Sequence, residues 1–482
     1  MSELHCDLFI VGAGPAGMAA AIAARAKGLS VIVADEGAMP GGQIYRRAGR
    51  SPLVDPNVLG TDYLEGGGLV ARFLSCGARY LAATLVWQVQ TAPEITAWLA
   101  PNGAGEAGSD PCPAQVTARA MLLATGAQER PWPVRGWTLP GVMGVGAAQT
   151  LMKSAGLVPG EDTVLVGSGP LLWLYASQLI DAGRTVRALL DTTPGRAWRR
   201  ALPHLPRALL AADTLTKGLR MMAKVRRSGI EIHRGVRDVE IAGETAAHAV
   251  RFRAGARQQE VPASLVLLHQ GVVPGTNLAR ALGCRHRWDR AQACWHTEAD
   301  AWGRTSVARV WIAGDGAGIG GAQAARCAGE IAALDVVYLL GHIDAAARER
   351  ESGAARRQRT RHLAARPLLD ALYTPERSLR VPADDVVVCR CEEVTAGEIR
   401  RLGALGCTGP NQAKAFSRCG MGPCQGRWCG ITVGELLAEA AGRPVSEIGY
   451  YRIRPPIKPV TIEQIAAAVP EEGGGVRADF PS

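Results

Sequence analysis

Six of the twelve cysteines fall between Cys389 and Cys429, in "CRCEEV" and "RCGMGPCQGRWC". Cys389 and Cys391 make a C-x-C pair behind the apolar run "DDVVV", and Cys419 and Cys424 make a second pair inside a glycine-rich loop. Four thiolates in two close pairs suit zinc or an iron–sulfur cluster; zinc sites favour C-x2-C knuckles, and C-x-C is less usual for them. Gly420, Gly422 and Gly426 permit a loop that turns N–H groups toward sulfur, which stabilises a reduced cluster. Cys407 and Cys429 are candidates in reserve. Upstream of residue 284 only Cys6, Cys76 and Cys112 occur, all isolated, so the paired cysteines that disulfide reduction needs are missing. His204 and His233 are lone residues, read as surface or core, and no nucleophile or acid pair completes a catalytic relay.

A second motif stands near the N-terminus. "DLFIVGAGPAGMAAAIAARAKGLSVIVADE" runs apolar strand, glycine turn, alanine-rich helix, glycine stop and second strand ending in acid, the dinucleotide fingerprint in its required context. Gly12 permits the tight turn, Gly14 lets the backbone approach a pyrophosphate, and Gly17 lets the helix pack on the strand. Pro15 and Ala16 begin that helix, whose N–H groups and dipole face the phosphates. Asp35 is placed to accept from a ribose, with Glu36 the neighbouring alternative.

"DTVLVGSGPLLWLYASQLIDAGRTVRALLD" repeats the pattern with Gly167, Gly169 and Asp191, but Leu172 takes the third glycine position. A leucine there holds the helix off the strand or crowds the phosphate path, which leaves open whether this second site works or is vestigial. "MLLATGAQERP" puts Thr125 and Gly126 at the end of a buried strand. "VARVWIAGDGAGIGG" puts Gly314 and Asp315 where a carboxylate can bind a sugar or ribityl hydroxyl beside a helix N-terminus.

In this order, "GAGPAG", "LLATGA", "GSGP" and "WIAGDGAG" resemble the two-dinucleotide-domain flavoproteins. The resemblance implies FAD contacts at Gly12, Gly14, Gly17, Asp35, Gly41, Gly42, Gln43 and Asp315, the loop "PGGQIYRR" following the ribose acid. It also implies an inserted domain that binds NAD(P)H in the family. The cysteine segment is similar to the [2Fe-2S] domain first known from bacterioferritin-associated ferredoxin, which implies Cys389, Cys391, Cys419 and Cys424 as ligands. Relatives often carry C-x2-C in the second pair; here it is C-x4-C.

At 482 residues the chain exceeds a single core. We expect an α/β architecture of two Rossmann-like domains plus a small helical C-terminal [2Fe-2S] domain. The FAD domain would span 1–130 and 265–345, the NAD(P)-like insert 131–264, an Arg-rich connector 346–385, the cluster domain 386–450 and a proline-containing tail 451–482. Thr395 and Glu398 form a capping-box pattern, and Gly442 marks a helix stop. "YYRIRPPIKPV" reads as extended, lying across another domain or a partner, or as a disordered tail. The net charge of +10 gathers in part between Arg348 and Pro367, a solvated helix face or a contact for an acidic partner. Nucleic-acid readers are absent from the pattern. No basic leader with a cleavage site and no apolar run of about eighteen residues is seen, so a cytoplasmic location is expected, with peripheral association at the inner membrane through a complex left open.

Over nearly the whole chain, "CRCEEVTAGEIR" and "GPNQAKAFSRCGMGPCQGRWCG" complete a resemblance to the α (or A) subunits of opine oxidases, hydrogen cyanide synthase and D-hydroxyproline or proline dehydrogenases. That implies an oxidoreductase acting on CH–NH. This chain would carry electrons through FAD and the [2Fe-2S] cluster, while a flavoprotein β subunit oxidises an opine or proline-like amino acid. Some complexes add a small ferredoxin-like γ subunit, and FMN at a subunit boundary and a membrane acceptor stay open. Two rival readings remain: a self-contained NAD(P)H-dependent reductase of a carrier protein, and a nucleotide-filled structural subunit.

Overall fold

Strands of three to nine residues, many of them apolar, fold into two largely parallel sheets, each with an antiparallel excursion of the chain. The computed structural model describes residues 3–53, 55–103 and 112–466. The first sheet has seven strands among these residues, ordered Arg79–Leu81, Val31–Ala34, Glu3–Val11, Gln115–Leu123, Ile95–Pro101 and Thr84–Gln90, with Val310–Ile312 also paired to Gln115–Leu123. Strand Glu3–Val11 is parallel to Val31–Ala34 and to Gln115–Leu123, as a βαβ crossover demands. Thr84–Gln90, Ile95–Pro101 and Gln115–Leu123 form an antiparallel excursion; residues 104–111, between the last two, lie outside the described residues.

The second sheet has five parallel strands, ordered Glu231–Arg234, Ala188–Asp191, Thr163–Ser168, Leu265–Gln270 and Val142–Gly144. By sheet membership the second unit therefore runs to Gln270, beyond the boundary expected at 264. Leu265–Gln270 is the strand that buries Thr163–Ser168 on its other edge, and its own residues Val266 and Leu267 are fully buried.

Helix Ala322–Leu339 packs along helix Pro15–Arg25, and the Arg-rich segment forms helix Ala345–His362 across it. Its arginines are more than a solvated face. Arg348 donates to the fully buried Asp335 at 2.7 Å and stacks at 4.0 Å on Trp302, and Arg356 stacks on the same ring at 3.7 Å. Asp335 also accepts from Arg304 and from the Trp311 indole at 2.9 Å, so a buried carboxylate is held by two guanidinium groups.

The cysteine-bearing unit is a short hairpin, Val387–Cys389 with Val394–Thr395, followed by helices Ala396–Ala404, Pro410–Ser417 and Gly430–Ala441. The Thr395–Glu398 capping box forms in both directions, and Gly442 ends the last helix in left-handed geometry at φ +62°. The tail is extended and crosses the first sheet's excursion: the Ile457 amide donates to the Trp87 carbonyl at 2.9 Å, and Lys458 pairs with Glu36 at 2.7 Å. Residues 467–482 of that tail lie outside the described residues. No helix of the described residues is long and apolar enough to cross a membrane.

Candidate functional site

The first fingerprint is built from backbone in close contact with backbone. Gly12 has φ +104°, and a Cβ on Gly17 would overlap the Gly12 carbonyl oxygen, so neither position admits a side chain. Helix Pro15–Arg25 starts at Gly14 with no side-chain cap, leaving its first-turn N–H groups for a ligand. The "PGGQ" loop folds back on this turn: the Gly41 amide donates to the Ala13 carbonyl at 2.8 Å, and a Cβ on Gly42 would lie 3.0 Å from Gly14 Cα. Gly14 itself faces open space, with Gly42 Cα the one atom near its absent Cβ, at 3.9 Å. That is a cradle a pyrophosphate can enter.

Asp35 is half-buried, and its carboxylate accepts from the Ala13 amide at 2.5 Å and the Gly37 amide at 2.7 Å. Burial raises its pKa, and the two amides oppose the rise. Glu36 points out and is held by Lys458. Thr125 and Gly126 meet Gly275: the Thr125 hydroxyl donates to the Gly275 carbonyl at 2.8 Å, and the Gly275 amide to the Gly126 carbonyl at 2.9 Å. Gly314, at φ +77°, lies against Ala16, and Asp315 accepts from the Gly320 and Gly321 amides at 2.9 Å each. Segments that the sequence spreads over three hundred positions thus adjoin, Gly314 against Ala16 of the first helix and Asp315 on the amides that lead into helix Ala322–Leu339. Asp315 also lines a cavity of about 400 Å³ with Arg207, Arg287, His296, Arg359 and Arg366.

Lys153 carries no sequence signal that would place it in this site. It is buried, donates to the Gln43 carbonyl at 3.2 Å and Gln149 Oε1 at 3.0 Å, and burial with Arg46 nearby lowers its pKa to about 8. A lysine inside helix Val145–Ala155 belongs to no motif; only its packing under the "PGGQ" loop reveals it.

At the second fingerprint, Gly167 and Gly169 keep positive φ (+141° and +112°), and Leu172 is fully buried. A side chain borders this turn. The His269 ring stands 3.5 Å from where a Gly169 Cβ would be, fixed by Nδ1 to Glu129 at 2.6 Å, while Glu129 accepts from the Gly146 amide at 3.0 Å. Gln270 donates to the Thr192 hydroxyl at 2.9 Å, and Asp191 accepts from the Thr193 amide at 2.9 Å. The connector's Tyr373 is close enough that burial first, and then the Asp191 charge, push its phenol up to about 12. His233 packs edge-on against Phe252 at 4.9 Å, and His204 is exposed; neither joins a site.

In the thiol basin, the sulfurs of Cys389, Cys419 and Cys429 lie within 4.8 Å of one another, all three buried. Cys391 and Cys424 adjoin each other, the Cys424 amide reaching the Cys391 sulfur. Of the two reserve candidates, Cys429 joins the basin and Cys407 is buried outside that trio. Hydrogen bonds from Cys419 and Cys429, aided by the Gly420 and Glu392 amides, hold the Cys389 thiol far below its ordinary value. The same bonds push Cys419 and Cys429 upward. A further contributor comes from "YYRIRPP". Tyr451 donates its hydroxyl to Cys419 Sγ at 3.3 Å, and its ring covers Gly420 and Gly426, where any side chain would strike it. Buried soft ligands with inward amides fit an iron–sulfur cluster.

The basin is seated on the first unit. Gln128 donates to the Arg427 carbonyl at 2.7 Å and Asn277 to the Gln425 carbonyl at 3.1 Å, both within the loop from Cys424 to Cys429. The second unit contributes too: the Trp137 indole holds the Val387 carbonyl at 2.7 Å.

Comparison with known proteins accords with this geometry. The family described as pyridine nucleotide-disulphide oxidoreductase matches residues 6–332, and the sarcosine oxidase A3 domain matches residues 386–469. The chain belongs to the pyridine nucleotide-disulphide oxidoreductase family, in the group that contains the A subunits of opine oxidases. It is 45% identical to the opine oxidase A subunit of Agrobacterium tumefaciens, over 95% of this chain and 91% of that one. It is 34% identical to the HcnB subunit of hydrogen cyanide synthase from Pseudomonas aeruginosa, over 94% and 96%. The solved L-proline dehydrogenase from P. horikoshii shares the fold, with a TM-score of 0.68 at 18% identity over 96% of this chain and 80% of that one. This is an oxidoreductase and a flavoprotein.

Proposed function

We propose that the chain is the FAD- and [2Fe-2S]-bearing electron-transfer subunit of a heteromeric dehydrogenase or oxidase. A partner flavoprotein subunit oxidises the C–N bond of an opine or of a proline- or hydroxyproline-like amino acid. The observation that carries this reading is the seating of the thiol basin on the flavin unit through Gln128 and Asn277. A cysteine-rich domain on a flexible tether would have no need of those bonds. When bound, FAD supplies a carrier of one or two electrons and the cluster a carrier of one.

The residues divide the work. Gly12, Gly14, Gly17 and the first-turn amides would hold the pyrophosphate, Asp35 a ribose, and Asp315 the ribityl chain. Lys153 braces the Gln43 loop from beneath. Four of Cys389, Cys391, Cys419, Cys424 and Cys429 would ligate iron, with Tyr451 and the Gly420 and Glu392 amides donating to sulfur. Electron transfer itself needs no paired acid and base, since the cofactors carry the electrons.

The test is anaerobic titration of the purified chain with NADH and NADPH, then dithionite, followed in the visible spectrum. Bleaching by dithionite alone is expected of a relay subunit. Bleaching by a nicotinamide would favour the self-contained reductase, a reading that rests on the retained Gly167, Gly169 and Asp191. Replacing Cys389 by Ser should remove the cluster bands, leave the flavin and abolish dye-linked activity of the complex. Full activity without the cluster would sink the relay.

A further inference from the structure

The segment from Arg196 to Arg227 is packed inside out. Its small residues Ala197, Ala201 and Ala208 are fully buried against Leu368 and Leu372 of the connector. Its large ones face solvent: Trp198, Leu202, Leu209, Leu210 and Leu219 are each more than half exposed, up to 66% for Leu210. A face that hides alanine and shows leucine and tryptophan gains nothing for a lone chain and marks a surface to be covered.

Charge narrows what covers it. The segment holds nine Lys and Arg and one acid, Asp213. Arg196, Lys217 and Lys224 are paired with Glu376, Asp62 and Asp181 of the body. Arg199, Arg200, Arg207, Arg220, Arg226 and Arg227 form no ion pair among the described residues. A second copy would set these six cations against themselves, because a two-fold interface joins like to like. A bilayer would want the exposed apolar side chains on one continuous amphipathic helix, whereas Trp198, Leu202, Leu209 and Leu210 sit on short pieces interrupted by Pro203 and Pro206, among them Ala197–Ala201 and Leu205–Ala208, and the longer basic helix Ala212–Arg227 carries only Leu219 of them. Paired potentials across an interface steer and align two proteins, so the fitting occupant is a protein face with acids set among apolar residues.

Position supplies the reason for docking there. Arg207 belongs to this strip and also lines the cavity of about 400 Å³ that reaches Asp315. A protein seated on the strip therefore closes the mouth of the cavity beside the ribityl-binding carboxylate.

We propose that the exposed Trp/Leu/Arg strip of residues 196–219, at the rim of the Asp315 cavity, docks an acidic, apolar face of the amine-oxidising flavoprotein subunit. This rests on the heteromeric reading above. The experiment is hydrogen–deuterium exchange on the chain alone and in its purified complex. Affinities of wild type and of the Leu209→Asp/Leu210→Asp and Arg199→Glu/Arg200→Glu variants are measured in parallel, with the visible spectrum and melting as checks on folding. Expected are protection confined to this strip in the complex, about tenfold or more weaker association for both variants, unchanged flavin and cluster bands, and wild-type affinity that falls with salt. Unprotected exchange in an intact complex, with unaltered affinities, overturns the surface while leaving the electron-transfer reading in place. If no flavoprotein partner binds the chain at all, both fall. Flotation of the wild-type chain alone, but not the variants, with phosphatidylglycerol/phosphatidylcholine vesicles would give the strip to lipid. Self-association abolished by the Asp variant would give it to a second copy. Either result overturns the proposal.

Discussion

The two glycine turns share strand, helix and terminal acid, and differ in what stands opposite the phosphate position. At Gly14 it is Gly42, a backbone without a side chain. At Gly169 it is the His269 ring, clamped by Glu129. The third glycine differs too: Gly17 lets helix and turn touch, whereas Leu172 fills the same place with a fully buried side chain. On the proposed function the first turn would serve as the cofactor cradle, while the second is bordered by a histidine ring and packs a leucine beneath it.

The sharpest break of that comparison is Gly17→Ala beside Gly169→Ala. The first sets a methyl group into the Gly12 carbonyl, with backbone on both sides and nothing flexible to yield, and should leave the protein without flavin. The second meets only the His269 ring at ordinary contact distance, strained by its φ of +112°, and should keep the flavin at wild-type ratio. Flavin-to-protein absorbance decides; a flavin-replete Gly17→Ala protein would mean the first turn is not the cofactor cradle. Next in size, Leu172→Ala should cost about 2–5 kcal/mol in denaturant unfolding, as removal of a buried leucine does, without creating a response to NADH. Should the variant be reduced by NADH, Leu172 alone would be the block and His269 would not.

A smaller effect separates Asp35 from Asp191, both raised by burial. The folded chain holds each proton to a higher pH than the unfolded one. Their contribution to apoprotein stability is therefore present below the ordinary aspartate value, about 4, and lost as pH rises through the raised one. A ribose acceptor must be ionised, so flavin retention should run the opposite way and weaken as pH falls through the raised value of Asp35. Asp35→Asn should flatten that retention profile, measured by ultrafiltration across pH, and Asp191→Asn should leave it unchanged. Equal profiles for the two variants would erase the distinction between the turns. The smallest effect belongs to Lys458→Ala, which removes a partly exposed ion pair to Glu36 that the second turn lacks. Melting should fall by less than about 1 kcal/mol equivalent; a larger loss would make the tail a clamp on the ribose end.

Much of this is legible in local sequence, for reasons visible in particular residues. Gly12 and Gly17 have backbone geometries or contacts that no other residue meets, so their spacing announces the turn. Thr395 and Glu398 satisfy each other within one helical turn, so four residues suffice to read them. The basin is a different case. Its C-x-C pair is readable, but Cys429 stands in reserve because spacing along a loop does not say which sulfurs turn inward. Tyr451 comes from the tail, and Lys153 from a helix with no motif. The strand Leu265–Gln270 is assigned to the wrong unit by sequence because its apolar run fits either sheet equally well.

The sequence by itself determined the first glycine turn and its strand–helix–strand unit, because that fingerprint is written within about thirty residues, and a thiol-rich C-terminal unit, because its cysteines lie in one segment. Only the tertiary structure decided that His269 borders the second turn, that Asp335 holds two arginines from different segments, that the basin rests on Gln128 and Asn277, and that leucines rather than alanines face outward between Arg196 and Arg227. Those outcomes depend on which distant surfaces meet, and pairing between distant segments is set by the packing of the whole chain.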